Sequence, residues 1–255
     1  MTSPVPHTLT DRQRATVISA DSLVIAGARH WVLVINLLFG VYSLTPWLAP
    51  VLMQTGHTGA AGLIYLFYST QCHQLPERSY FLFGQKTSYS LHEVQAAFQD
   101  TNNPAILRQF IGNPEMGWKV AWSDRMVSMY TAIFASGLVF ALVRRRLKPL
   151  SLWGFAALVV PMIADGGSHA LSDLAGIGRG FRDGNAWLAA LTGHVFPAWF
   201  YAGDTLGSFN SSMRLVTGIL FGVACVWLAY PYIEQSMSDM RVRLEENLGR
   251  AGVTG

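Results

Sequence analysis

Long apolar runs are the sequence feature that most constrains this fold. Four runs, at residues 31–53, 118–143, 150–171 and 213–230, can each cross roughly 30 Å of hydrocarbon at about 1.5 Å per helical residue. The 255-residue chain is 51% hydrophobic and 13% charged, and average soluble domains carry about 25% charged residues. The sequence therefore predicts an all-α integral membrane helical bundle with about four spans.

The segments between the first two spans predict shorter elements. Residues 60–70 are apolar but too short to cross the membrane with ease, which favours a re-entrant or short fifth helix over a tilted full span. Residues 76–117 form a polar outer loop. Within it, Ser90 and Glu93 have the spacing of a capping box, and Pro104 is suited to the start of another short surface helix.

The remaining segments complete the predicted domain organisation. Residues 1–30 form an N-terminal tail or an amphipathic surface helix, and residues 31–232 form the membrane domain. An outer Gly-rich segment, residues 174–210, contains an apolar and aromatic island at 187–201. Residues 233–255 form a charged C-terminal tail.

Orientation and partners follow from charge. The basic cluster at residues 144–148 is expected in the cytoplasm by the positive-inside rule, and four spans then place both termini there, in the cell (inner) membrane. A fifth span at 60–70 would move the N-terminus outside. A formal net charge of +3 is too small to indicate a nucleic-acid partner. The expected partners are the lipid bilayer and another membrane protein.

Ionisable residues recur near the outer ends of the predicted spans. An isolated charge inside a membrane costs about 2.5–3.5 kcal/mol on insertion scales, so such residues are expected to face one another. They are Asp124, Arg125, Asp165 and Arg214. One interpretation is a structural salt-bridge network that ties the helix ends together.

Residues of small size also repeat at helical spacing. Asp124, Ser128, Ala132 and Ser136 lie four residues apart, so they share one helix face. Gly218 and Gly222 form a small-xxx-small pattern on the last span. Both patterns predict close helix contact.

Residues 72–79, Cys-His-Gln-Leu-Pro-Glu-Arg-Ser, place reactive groups at the end of an apolar segment. His73, Asp165 and His169 are the candidate catalytic residues. Together with Cys72 or Asp124, they offer the nitrogen, oxygen and sulfur ligands of zinc or another divalent metal. The residues predicted to bind an anion or to pair with one another are Arg78, Arg125, Arg214, Asp124 and Glu77.

The two cysteines, Cys72 and Cys225, are not expected to form a disulfide. Cys225 lies about 16 Å along its helix from the start of the span, and a disulfide requires Cα atoms within about 7 Å. Cys72 could be a metal ligand, a nucleophile or a small buried residue.

Residues 72–84 resemble the signature of a prokaryotic family of predicted multi-pass membrane proteins, catalogued only as a domain of unknown function. Blocks at 119–130, 161–166 and 213–218 add to this resemblance, which covers about residues 63–231. The resemblance implies a membrane architecture and no established activity. It also implies relatives with a cysteine at the position of Ser123, which would suit a two-thiol site or a disulfide that this chain lacks.

Three functions are compatible with these patterns. The first is a metal-dependent membrane enzyme acting on a lipid or lipid-linked substrate. The alternative is a non-catalytic accessory subunit or binding module of a membrane complex, docking through residues 187–201, with the charged cluster as a structural network. Transport is least supported, because no inverted repeat is visible.

Overall fold

Four long helices dominate the computed structural model, which describes residues 10–144 and 146–250. With helices numbered in chain order, they are α1 (Asp11–Gln54), α5 (Asp124–Val143), α6 (Leu152–Asp173) and α10 (Phe209–Arg250). By length and composition, all four could cross a membrane. The chain is 70% helical, which confirms the predicted all-α bundle.

Shorter elements occupy the connections between these helices. They are α2 (Thr58–Ser69), α3 (Leu91–Ala97), α4 (Pro104–Leu107), α7 (Phe181–Gly184), α8 (Ala186–Leu191), α9 (Ala198–Tyr201) and the strands β1 (Ser79–Leu82), β2 (Gly112–Asn113) and β3 (Gly117–Ser123). With 12 residues, α2 is the short fifth helix, about 18 Å long. The capping box of Ser90 and Glu93 is present at the start of α3.

The second predicted span begins later than the apolar run suggested. Residues 117–123 form the strand β3, which lies between β1 and β2 in an antiparallel sheet, and α5 begins only at Asp124. A continuous apolar run does not distinguish a buried strand from a helix. The change from strand to helix at Asp124 is therefore not visible in the hydropathy of the sequence. β1 pairs along β3 from Trp118 to Ser123, whereas β2 pairs only with Gly117 and Trp118.

Both terminal helices continue through boundaries that the sequence suggested. α1 runs without a break from Asp11 across the predicted junction near residue 30, and α10 continues past Pro231 to Arg250. A proline removes one helical hydrogen bond, and membrane helices tolerate this loss. Residues 1–9, Arg145 and 251–255, which belong to the predicted tails and the basic cluster, lie outside the described residues.

The polarity of α6 is inverted relative to a helix of a water-soluble protein. Its buried residues are Asp165, His169 and Ser172, whereas Leu152, Ile163 and other large apolar side chains are exposed. A helix that turns its polar groups inward and its apolar groups outward is suited to a lipid environment.

The patterns of small residues mark the contact between α5 and α10. A Cβ atom added to Gly218 would lie 2.1 Å from Ser128 Oγ, and one added to Gly222 would lie 2.8 Å from Ala132 Cβ. The two helix backbones therefore approach closely at this point, as the sequence pattern predicted.

The bundle has two chemically different ends. At one end, which we call the basic end, Glu234 accepts a hydrogen bond from Trp31 Nε1 at 2.8 Å and lies 3.9 Å from Arg144. At the opposite end, the site end, α5 and α10 begin and the loop with Cys72 and His73 packs against β3.

Candidate functional site

The loop that carries Cys72 and His73 is held by buried polar contacts. Gln74 adopts a left-handed conformation (φ 52°), and its side-chain amide donates hydrogen bonds to the carbonyl oxygens of Tyr65 (3.1 Å) and Ala121 (2.8 Å). Lys119 is fully buried and donates to the carbonyl oxygens of Gln74 (2.7 Å) and Arg108 (2.8 Å). Burial lowers the pKa of Lys119 to about 7. These contacts fix the loop against β3.

Cys72 is buried beside Ser123, the last residue of β3. Its Sγ accepts hydrogen bonds from the backbone N–H groups of Gln74 and Ser123, each at 3.4 Å, and lies 3.4 Å from Ser123 Oγ. The position that the resemblance assigns to a second cysteine thus adjoins Cys72. Because this chain has serine there, the pair is one thiol and one hydroxyl. Cys225 lies in α10 and is also a free thiol.

His73 is exposed towards a cavity and has a defined proton position. Its Nδ1 accepts a hydrogen bond from the backbone N–H of Leu75 at 3.0 Å, which assigns the ring proton to Nε2. Desolvation by the surrounding protein, and then the charge of Arg78, lower the pKa of His73. The imidazole is therefore neutral and presents an N–H donor.

The cavity beside His73 unites most of the predicted site residues. We call it the arginine cavity; its volume is about 250 Å³. Its wall includes Cys72, His73, Arg78, Ser123, Asp124, Arg125, His169, Ala170, Asp173 and Arg214. Residues from the Cys72 loop, α5, α6 and α10, which are far apart in sequence, therefore meet at the site end.

Asp165 lies behind this wall and joins two arginines. It accepts hydrogen bonds from Arg125 Nη2 at 2.7 Å and from Arg182 Nη2 at 2.6 Å. Arg182 also lies 3.2 Å from His169 Nε2, whereas that ring nitrogen is 3.9 Å from Asp165. Because arginine can only donate, His169 Nε2 is the acceptor and its proton lies on Nδ1.

Two further ion pairs complete the network. Arg214 Nε donates to both carboxylate oxygens of Asp124, at 2.7 and 2.9 Å. Arg78 makes a bidentate pair with Asp173, at 2.6 and 2.7 Å. Charged residues from different spans thus face one another, as the sequence predicted. Which residue pairs with which could not be read from the sequence.

Hydrogen-bond donors exceed acceptors around the cavity. Arg214 Nη1 and His169 Nδ1 are buried and have no hydrogen-bond partner in the part of the chain that the structure describes. His73 adds its Nε2–H. Four arginines face three aspartates in the network, and the carboxylate of Glu77 lies 4.0 Å from Arg78.

The metal hypothesis gains no support from this geometry. Within residues 10–144 and 146–250, no three or more His, Cys, Asp or Glu side chains are placed to hold one metal ion. Asp165 is occupied by two arginines, and the Cys72 sulfur lies among donors. These residues lie near one another without forming a ligand set.

Sequence reasoning missed three important cations. Arg182 comes from the Gly-rich segment, and Arg108 and Lys119 come from the outer loop and the predicted start of a span. Arg182 and Lys119 are buried, which their sequence surroundings did not indicate. Asp173, one turn after His169 on α6, pairs with Arg78, and this pairing depends on the tertiary fold.

The comparisons with known proteins identify one family model. Residues 115–228 match the model described as a predicted membrane protein (DUF2085). The match includes α5, α6 and the first half of α10, and it leaves out the Cys72–His73 loop. With the four apolar helices, it supports a membrane protein family of unknown function. No curated protein and no solved structure matches the chain.

Proposed function

We propose that this membrane protein binds a phosphate-type anion in the arginine cavity. The observation that carries the proposal is the meeting of Arg78, Arg125 and Arg214 in the wall of one cavity. Guanidinium groups bind phosphate oxygens through charge-assisted hydrogen bonds, which are stronger than neutral ones. The unpartnered donors of Arg214 and His169 support an anionic ligand, since each lacks an acceptor.

The shared chemistry of the ligand is a phosphate group, from a lipid headgroup or from a soluble molecule. A lipid source agrees with the lipid-type substrate that the sequence suggested, because the cavity lies at the end of helices suited to lipid. The proposal needs no metal, since arginines and neutral histidines supply the contacts. It concerns binding, and a reaction at Cys72 or His73 is not part of it.

The test adds a negative charge to the cavity without breaking an ion pair. Ala170 is exposed and contributes to the wall. Ala170→Glu places a carboxylate there, and we expect it to weaken anion binding about tenfold or more by charge repulsion. Ala170→Gln has the same size without the charge and should bind as the unmodified protein does.

Two probes distinguish the sources of the phosphate. Inorganic phosphate is titrated calorimetrically, and nanodiscs of phosphatidic acid are compared with nanodiscs of phosphatidylcholine. Saturable binding of phosphate alone supports a soluble ligand, and binding of phosphatidic acid alone supports a lipid. If neither binds, or if Ala170→Glu and Ala170→Gln behave alike, the proposal is wrong and the arginines form a structural network.

We also propose that the basic end faces the cytoplasm of the cell (inner) membrane, which places the arginine cavity on the outer side. The density of arginines at the end of α5 supports this orientation through the positive-inside rule. A reporter that is active only in the cytoplasm, fused after residue 255, should be active. An inactive fusion, with an active periplasmic reporter at the same position, would reverse the orientation.

A further inference from the structure

A second cavity lies at the site end, on the other side of Arg78. It has a volume of about 530 Å³ and is formed by the outer loop and the Gly-rich segment. Four carboxylate side chains border it: Glu77, Asp100, Asp183 and Asp204. Among the described residues, the arginines in its wall are Arg78, which is paired with Asp173, and Arg179. We call it the acidic cavity.

Glu77 provides an independent indication of a ligand. It is only 4% exposed and forms part of the wall, yet neither carboxylate oxygen has a hydrogen-bond partner among the described residues. Its nearest cation is Arg78, whose Nε lies 4.0 Å away, beyond hydrogen-bond distance. A buried carboxylate without a hydrogen-bond partner is costly, and a cation bound beside it would lower that cost.

The charges around Glu77 reinforce this preference. Burial raises the pKa of Glu77, with Arg78 lowering it in part, and burial also raises the pKa of Asp183. Asp204 adds to both shifts through its negative charge. Both carboxyl groups therefore favour their neutral form in the empty cavity, and a cation bound beside them would stabilise the ionised form.

We infer that the acidic cavity binds an organic cation with two ammonium groups. A metal ion needs several ligand side chains around one point, and the described residues include no such group. A cation whose charges are separated along a chain can instead meet carboxylates that stand apart around a large cavity. This inference concerns a second site and does not depend on the anion proposal.

The experiment uses putrescine as the probe and the intact protein in detergent. Calorimetric titration should show saturable binding of putrescine, and 1,4-butanediol, which has the same chain length without charge, should not bind. We expect Glu77→Gln to weaken putrescine binding at least about tenfold, because it removes the buried charge and keeps the shape of the side chain. Glu115→Gln, at an exposed site outside the cavity, is the matched control.

Further measurements keep each result interpretable. Asp100→Asn, at the exposed rim of the cavity, should weaken binding less than Glu77→Gln does. Thermal unfolding of Glu77→Gln should occur at or above the temperature of the unmodified protein, since the variant removes a buried carboxyl group that has no hydrogen-bond partner among the described residues. Equal binding by Glu77→Gln and Glu115→Gln would overturn the inference. Binding of Mg²⁺ but not putrescine, lost in Glu77→Gln, would also overturn it in favour of a metal site.

Discussion

Asp165→Asn should lower the free energy of unfolding by about 3–5 kcal/mol. The Asp165 side chain is 3% exposed and is the carboxylate partner of both Arg125 and Arg182, at 2.7 and 2.6 Å. An asparagine has nearly the same shape, but it leaves the buried guanidinium of Arg182 and the half-buried one of Arg125 without their counter-charge. Equilibrium unfolding in mixed detergent micelles, followed by circular dichroism, measures the change.

Asp239→Asn provides the control for this variant. Asp239 is exposed in the C-terminal part of α10, and its substitution should change stability by less than about 0.5 kcal/mol. An Asp165→Asn protein as stable as Asp239→Asn would show that Asp165 does not hold the two arginines. The charged network would then contribute little to helix association.

Gly222→Ala should destabilise the contact between α5 and α10, by about 1–3 kcal/mol. Its new Cβ would lie 2.6 Å from the Met129 carbonyl oxygen and 3.0 Å from the Ile133 nitrogen. Both are backbone atoms, so no side-chain rotation relieves the clash and the two helices must separate. Gly222→Leu should have a larger effect in the same unfolding measurement.

Gly27→Ala makes the same chemical change where space is free. No atom lies within 4 Å of a Cβ added to Gly27 in α1. Alanine is favoured over glycine inside a helix by up to about 1 kcal/mol, so this variant should be neutral or more stable. The two variants should thus change stability in opposite directions, because Gly27→Ala reports helix propensity and Gly222→Ala reports helix packing. If Gly222→Ala is also neutral, the close approach of α5 and α10 is not rigid.

Helical periodicity predicted those features that depend on which residues share one face of a helix. The spacing of Ser128 and Ala132 on one helix, and of Gly218 and Gly222 on another, predicted that each face makes a close helix contact, and the structure pairs the two faces with each other. The cost of charges in lipid likewise predicted that Asp124, Asp165 and the arginines would meet. These inferences succeeded because helix geometry and membrane polarity act over short stretches of chain.

Features that depend on long-range folding could not be predicted in the same way. The apolar run before Asp124 is a strand because β1 and β2 pair with it, and neither pairing is visible in hydropathy. Arg182 reaches Asp165 from a Gly-rich segment that has no clear periodicity. Lys119 falls within the predicted second span, but it lies in β3 and its ammonium group is buried between two backbone carbonyl oxygens.

β3 and α5 follow each other without a connecting loop in one wall of the arginine cavity, which restricts how these two elements can move relative to each other. Ser123 ends the strand and Asp124 begins the helix, so any tilt of α5 must also move the sheet. The backbone N–H of Ser123 binds the sulfur of Cys72, which ties the loop to the same unit. The facing helix α6 packs against α10 and is joined to the site by the ion pairs of Asp165 and Asp173. We therefore expect the wall formed by Cys72, Ser123 and Asp124 to keep its shape when a molecule enters, and any adjustment to come from the α6 side.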